Sequence, residues 1–221
     1  VTEKQKLFNS IKIPLILTFT ISAVKGIEYF FNLNFAHFGI YPRDVRTLSG
    51  ILFYPFIHND FAHLANNMMS LFSLTWVISY FYGSIFNSII LSNYLISGLW
   101  LWCLGRPSGH IGASGMIYAL AAFLILSGII RKNKSLSYIT MLIIFGYGSL
   151  VWGLFPIDYK MSFEGHITGA LAGIVTALYF KNDGPENDHE IIADEDNIPK
   201  DIFGEKYWEK NAENSNETSE K

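Results

Sequence analysis

Residues 112–130 read GASGMIYALAAFLILSGII, nineteen positions without a charged side chain, followed at once by Arg131-Lys132-Asn133-Lys134. A helix this apolar on every face has no water-facing side and belongs in a large core or a membrane. The remainder of the chain decides between the two. With this run taken as Ser114–Ile130, five others flank it: approximately Ile13–Phe31, Leu64–Tyr82, Ile85–Leu104, Leu136–Phe155 and His166–Phe180. About 20 helical residues cross roughly 30 Å of hydrocarbon. Most of the runs meet that length, while the fourth and sixth, at 17 and 15 residues, are short. The expected fold class is therefore an all-α integral membrane protein: a bundle of six transmembrane helices with a long outer loop, about residues 32–63, between helices 1 and 2.

Composition agrees. Half of the 221 residues are hydrophobic, only 16% are charged, and the mean hydropathy is +0.26. A soluble domain carries roughly 25% charged residues. The net charge of −3 divides unevenly, because residues 1–180 hold 11 Lys/Arg and 6 Asp/Glu, whereas residues 181–221 hold 5 and 13. Three parts follow: a cytoplasmic N-terminal segment (1–12), a six-helix core (13–180) and an acidic tail (181–221) whose polar composition predicts disorder. There is no basic stripe for nucleic acid. The lone Cys103 excludes a disulfide framework and any multi-cysteine metal site. The first run follows Lys4, Lys6 and Lys12, but it is too long for a signal-peptide core and lacks a small-residue cleavage site, so it is read as a span. Lys25 and Glu28 lie three apart within it and are expected to pair and snorkel near its outer end.

Orientation follows from the basic residues. With the N-terminus inside, Lys4, Lys6, Lys12, Arg131, Lys132, Lys134 and Lys181 face the cytoplasm, against Arg43, Arg46, Arg106 and Lys160 outside. The positive-inside rule then places both termini in the cytoplasm.

Three polar clusters interrupt the apolar runs, each at a helix start: His58 to Asn67 before the second helix, Gly112-Ala113-Ser114-Gly115 at the fourth, and Glu164-Gly165-His166 at the sixth. Those three helices all run inward, so their starts share the outer depth. A serine hydroxyl becomes a competent nucleophile when an imidazole takes its proton. The oxyanion that follows needs preorganised donors. A helix start offers free N–H groups, and His63 and Asn67, four apart, project from one face. Each piece alone has a plainer reading. Gly-x-Ser-Gly suits tight helix packing, Met116 breaks the Gly-x-Ser-x-Gly elbow of soluble hydrolases, His166 can be a satisfied interfacial polar residue, and His63 and Asn67 can cap loop backbone. Their shared depth and complementary chemistry favour a joint role. Gly165, Gly169 and Gly173, with Gly115, Ala119 and Ala122, repeat at helix-packing spacing. Close approach of helices 4 and 6 would bring His166 to Ser114, with Tyr118 one turn below, either against the imidazole or simply in the core.

His63-x-x-x-Asn67, then Gly112-Ala-Ser114-Gly115 with Tyr118, then Gly165-His166 followed by Gly169 and Gly173, resembles the rhomboid family of intramembrane serine proteases over about residues 48–180. The resemblance implies a six-helix rhomboid-like bundle and cleavage of transmembrane substrates near the membrane surface. It implies a Ser–His dyad with Ser114 as nucleophile and His166 as general base. The Ser114 N–H, His63 and Asn67 would be oxyanion donors, supported by Gly112, Tyr118, Gly169 and Gly173, with no cofactor or metal. The partners expected are transmembrane protein substrates and the lipid bilayer, with no nucleic acid, and the expected location is a bacterial inner membrane.

Two positions depart from the family pattern. Leu48-Ser49-Gly50 stands where many members carry a Trp-Arg pair, which puts the anchoring of the long loop in doubt, and Glu164-Gly165 precedes the histidine where alanine is common. His58 matches a recurrent loop histidine with an expected structural role. His110 and Ser108 are candidates for admitting water, while His37 and His189 carry no motif. The rival readings are a catalytically inactive rhomboid-like binding or chaperone protein, a channel or transporter, and a histidine-ligated metal or haem site. Retention of both Ser114 and His166 counts against the first, the lack of internal repeats against the second, and the lack of paired histidine ligands against the third. A run of 17 residues from Ser114 spans about 25 Å, less than the hydrocarbon thickness. The serine is therefore expected several Å below the outer surface, in a water-filled depression. Helix 5 and the loop from Pro156 to Phe163 are expected to move, since Gly146, Gly148 and Gly153 loosen that helix.

Overall fold

The computed structural model of the chain describes residues 2–157 and 161–185. Nearly all of the acidic tail, with His189, and Lys160 lie outside the described residues. About three quarters of the described residues are helical, and none forms a strand. In chain order the helices are α1 (Glu3–Ser10), α2 (Lys12–Phe30), the single turn α3 (Gly50–Phe53), α4 (Phe61–Phe81), α5 (Phe86–Leu104), α6 (Ser114–Arg131), α7 (Lys134–Tyr147) and α8 (Phe163–Tyr179). Short 3₁₀ segments occupy Ala36–Phe38, Val45–Thr47 and Tyr54–Phe56, and a longer one, Gly148–Leu154, continues α7. The six apolar runs coincide with α2, α4, α5, α6, α7 with its 3₁₀ extension, and α8. Among the described residues, three stretches are long and apolar enough to cross a membrane: Glu3–Phe30, α5 and α6. α7 and α8 are shorter, and α4 spends its first two turns on His63, Asn66 and Asn67.

The helix ends follow local chemistry. The Asp60 carboxylate accepts the His63 N–H at 2.8 Å and starts α4. Lys132 turns into the left-handed region (φ 53°) to end α6, and Asn133 caps α7 by accepting from the Leu136 N–H at 3.0 Å. Ser162 caps α8 by accepting from the Gly165 N–H at 3.2 Å.

α6 is the central helix. It buries 61% of its most apolar window inside the protein, against 28% for α5 and 17% for Glu3–Phe30. Leu120, Phe123 and Leu124 of α6 form the main core with Leu71, Leu74 and Ile78 of α4. On its other side, α6 meets α8 at van der Waals contact of the backbones. A methyl group on Gly169 would overlap the Gly115 carbonyl, and one on Gly173 would overlap the Ala119 carbonyl. Small residues are what allow such an approach. A second interhelical tie joins α5 to α8, where Thr176 Oγ1 donates to Asn93 Oδ1 at 3.0 Å.

The long loop is held without the Trp-Arg pair that its sequence lacks. Ile40 and His110 exchange backbone hydrogen bonds, the Arg43 N–H donates to the Trp102 carbonyl at 2.9 Å, and Trp102 Nε1 donates to the Asp44 carbonyl at 3.1 Å. Buried Tyr54 shares a 3.0 Å hydrogen bond with Ser97.

Lys25 and Glu28 pair as expected, at 2.7 Å, but they do not snorkel. Both side chains are nearly buried, at 12% and 11% exposure. Lys25 Nζ also donates to the His58 and Asn59 carbonyls at 2.9 and 3.0 Å, and Glu28 accepts the Phe35 N–H at 2.9 Å. A lysine with three acceptors gains more by capping loop carbonyls than by reaching for the interface, so the pair staples α2 to the loop that enters α4.

Gly169→Ala is expected to destabilise by about 1–3 kcal/mol, because a methyl forced between packed backbones is overpacking. Gly26→Ala, with open space around it, should be neutral or stabilising. Thermal unfolding of the two variants in detergent micelles checks the contrast.

Candidate active site

Three helix starts meet at one place. Ser114 is the first residue of α6, where the N–H groups of the first turn have no carbonyl four residues back. Gly112 precedes it at φ 106°, a conformation that side chains rarely tolerate, and its N–H is fixed by the Tyr54 carbonyl at 2.8 Å. A methyl on Gly112 would sit 2.9 Å from His63 Cε1, 3.1 Å from His63 Nε2 and 3.7 Å from Asn67 Nδ2. The glycine thus lets the first turn of α4 close on the start of α6. From the other side, α8 brings His166 Nε2 to 2.9 Å from Ser114 Oγ. The His166 ring stacks on Tyr118 with centroids 4.2 Å apart and planes 9° from parallel. Its Nδ1 lies 2.7 Å from the Gly153 carbonyl oxygen. The structure therefore brings Ser114, His166, Tyr118, Gly112, His63 and Asn67 together, while Gly169 and Gly173 stand behind them in the α6–α8 seam.

Asn67 is oriented by a residue that sequence reading left as structural. His58 Nε2 receives the Ala113 N–H at 3.4 Å and lies 3.0 Å from Asn67 Nδ2. Since the Ala113 N–H needs an acceptor, Nε2 must carry the lone pair, and Asn67 must present its NH₂ rather than its oxygen. The amide is pinned by one hydrogen, leaving the other to donate elsewhere. His58 is buried, 1% exposed, and burial pushes its pKa down to about 4. Its backbone is held in turn by Lys25.

The other titratable groups near the site form a strap instead of a second centre. His110 Nε2 donates to the Arg106 carbonyl at 3.1 Å, and its Nδ1 accepts a hydrogen bond from the Ser162 hydroxyl at 2.6 Å. Both ring nitrogens are thus occupied, and burial holds the imidazole below its ordinary pKa. Glu164 pairs with Arg106, whose Nε lies 3.6 Å from Oε1. Arg106 also donates to the Met161 carbonyl at 2.9 Å and sits 5.5 Å from the Phe163 ring centre. These contacts tie the loop before α6 to the loop before α8. His37 rests against Phe38 in the long loop, its ring centre 4.0 Å away.

Sequence spacing missed the His58–Asn67 contact, the reach of Lys25 to the loop carbonyls, and the Gly153 carbonyl. The first two carried a faint signal, a histidine five residues before His63 and a charged pair inside an apolar run. The third is a main-chain atom.

Comparison with known proteins adds a lineage. The model of the family described as Rhomboid domain matches residues 45–182. An uncharacterized protein of Mycobacterium bovis and another of Mycobacterium tuberculosis are each 32% identical over 149 residues, covering 63% of this chain and 62% of the relative. An uncharacterized protein of Mycobacterium leprae is 30% identical over 148 residues, covering 63% of this chain and 59% of the relative. The match thus spans less than two thirds of the length of each relative.

His58 must stay neutral to accept two N–H groups. With a folded pKa near 4 against roughly 6.5 unfolded, the unfolded chain binds the extra proton between those values. Stability is therefore expected to be complete above about pH 6.5 and to fall progressively toward pH 4. Histidine NMR should show His58 still unprotonated at pH 5.5, and His58→Phe should flatten the acid loss of thermal stability.

Proposed function

The chain belongs to the rhomboid family, and on that footing we propose that this membrane protein is an intramembrane serine endopeptidase. The observation that carries the reading is the 2.9 Å contact between Ser114 Oγ and His166 Nε2 at the meeting of α6 and α8. It takes α2, α4, α5, α6, α7 with its 3₁₀ extension, and α8 as six spans of a bacterial inner membrane, with both termini in the cytoplasm. The starts of α4, α6 and α8 then face outward.

Chemistry follows from the groups at hand. As Ser114 Oγ bonds to a peptide carbonyl carbon, His166 Nε2 takes the hydroxyl proton. Negative charge gathers on the former carbonyl oxygen, where the Ser114 N–H, His63 and the free hydrogen of the Asn67 amide are the donors. Donors fixed in advance lower the barrier because they need no reorganisation as charge appears. Collapse breaks the C–N bond, His166 passes its proton to the leaving amine, and Ser114 is left as an acyl ester. Water, with His166 again as base, hydrolyses that ester and restores the hydroxyl. Tyr118 limits the imidazole to one plane throughout.

The depth of the site selects the substrate. An 18-residue α6 spans about 27 Å, so Ser114 lies somewhat below the outer surface. The substrate is a transmembrane segment that unwinds near its outer end, and small or helix-breaking residues there make unwinding easier. α7 and its 3₁₀ extension form the mobile side, because Phe145, Trp152 and Phe155 are exposed and pack on little protein.

A fluorophosphonate probe together with a cleavage assay on a single-pass transmembrane peptide carrying Gly-Ala near its outer end tests the reading. Ser114→Ala and His166→Ala should abolish both labelling and cleavage, and cleavage left undiminished by either would overturn the dyad. His63→Ala and Asn67→Ala should each lower kcat by about 10²-fold, the cost of one oxyanion donor, because the other donors persist. Binding of the peptide without cleavage by the wild type would favour the inactive binding protein instead.

A further inference from the structure

His166 is held at both ring nitrogens by partners that differ in kind. Ser114 Oγ, on Nε2, can donate or accept. The Gly153 carbonyl oxygen, 2.7 Å from Nδ1, can only accept. A neutral imidazole carries one ring proton, and both contacts are satisfied only when it sits on Nδ1. The Nε2 lone pair then faces the serine hydroxyl. Given the Ser114–His166 reading on which this rests, we propose that Gly153, through its main-chain carbonyl, is the positioning residue that holds His166 in the tautomer and orientation able to take the Ser114 proton.

Local backbone chemistry explains why that carbonyl is available. Gly153 lies next to the end of the 3₁₀ segment Gly148–Leu154, where the final carbonyls lose their helical partners. The N–H that would bond it three residues on belongs to Pro156, which has none. The next one, of Ile157, donates to Phe155 at 2.8 Å. An orphaned carbonyl beside a buried imidazole finds its donor there.

A separate observation explains why position 153 is glycine. A methyl at this position would overlap the Tyr118 hydroxyl and lie 3.0 Å from His166 Nδ1. Only a residue without a side chain lets the backbone reach the edge of a ring whose face is already covered by Tyr118. Glu164, the acidic residue nearest in sequence, faces Arg106 instead, so the carbonyl fills the place that a carboxylate takes in three-membered serine protease sites. It is a neutral acceptor, so it orients the ring more than it stabilises the imidazolium. One consequence is mechanical: proton transfer is competent only while Gly148–Leu154 is seated against α8, so displacement of that segment unties the base.

Gly153→Ala would push on Tyr118 and confound position with packing. A spectroscopic arm and a backbone arm avoid this. In the full chain in micelles, ¹⁵N-histidine NMR of Ser114→Ala at neutral pH should show His166 protonated on Nδ1 although the serine hydroxyl is gone. Protonation on Nε2, or an even mixture, would overturn the proposal. Replacing Leu154 by its α-hydroxy acid makes the Gly153 carbonyl an ester carbonyl, a weaker acceptor. Cleavage of the Gly-Ala transmembrane peptide should then lose about tenfold in kcat, the worth of roughly one hydrogen bond, with KM unchanged and a mixture of tautomers. The same replacement at Trp152, which weakens the Val151 carbonyl, should leave kcat as it was. An unaltered kcat and tautomer in the Leu154 ester would overturn the proposal. Cleavage that survives Ser114→Ala sinks the serine reading and this role with it, a pattern distinct from a wrong tautomer in an enzyme that needs Ser114.

Discussion

Backbone contact between α6 and α8 sets the position of Ser114 relative to His166. Gly115 faces Gly169, and Ala119 faces Gly173, so the two helices meet with no side chain between them. Neither helix gains from expelling water in a bilayer, where lipid tails are as apolar as the helices themselves. What holds the pair is dispersion over a closely fitted seam, and that fit depends on glycines recurring every fourth residue. Ser114 and His166 lie at the same end of the seam, one on each helix. Their 2.9 Å separation is set by the packing behind them together with the Arg106 and His110 contacts that join the loops before the two helices.

The second wall of the site is assembled by polar groups, with little help from apolar packing. Lys25 holds the carbonyls of His58 and Asn59, His58 accepts from Asn67 and Ala113, and Gly112 gives His63 and Asn67 room to approach. Along this path donors meet acceptors, as a low-dielectric interior favours, and the exception is His58 Nδ1, which is buried without a hydrogen-bond partner among the described residues. The chain begins at a charged pair on α2 and ends one residue before the serine. A helix remote from Ser114 thus helps to position Asn67, and the pair that seemed an interfacial anchor is instead a staple.

Rigid and loose parts are divided between the two sides of His166. The α6–α8 seam is tight and glycine-lined, whereas α7 passes into a 3₁₀ segment with exposed aromatic residues. The tighter 3₁₀ winding follows a glycine at 148 and stops before a proline at 156. That looser segment supplies the carbonyl at Nδ1. The His166 imidazole therefore sits between a tightly packed seam and a segment with more exposed side chains.

The sequence alone determined the solvent of this protein and singled out its candidate site residues. Runs without charge can only be buried in lipid or a large core, and serine, histidine and asparagine at three helix starts are chemistry that an apolar run does not otherwise contain. It also indicated the seam, because a four-residue glycine repeat is a property of one helix and can be read within it. Only the tertiary structure decided which groups surround the imidazole. The partner of Nδ1 is a carbonyl, which every residue possesses, so no residue type announces it. The turn of Glu164 to Arg106, the inward reach of Lys25 and the grip of His58 on Asn67 depend on register between elements far apart in the chain. Spacing fixes the face of a helix, whereas neighbours on other helices are set by packing, and that is where the linear pattern ends.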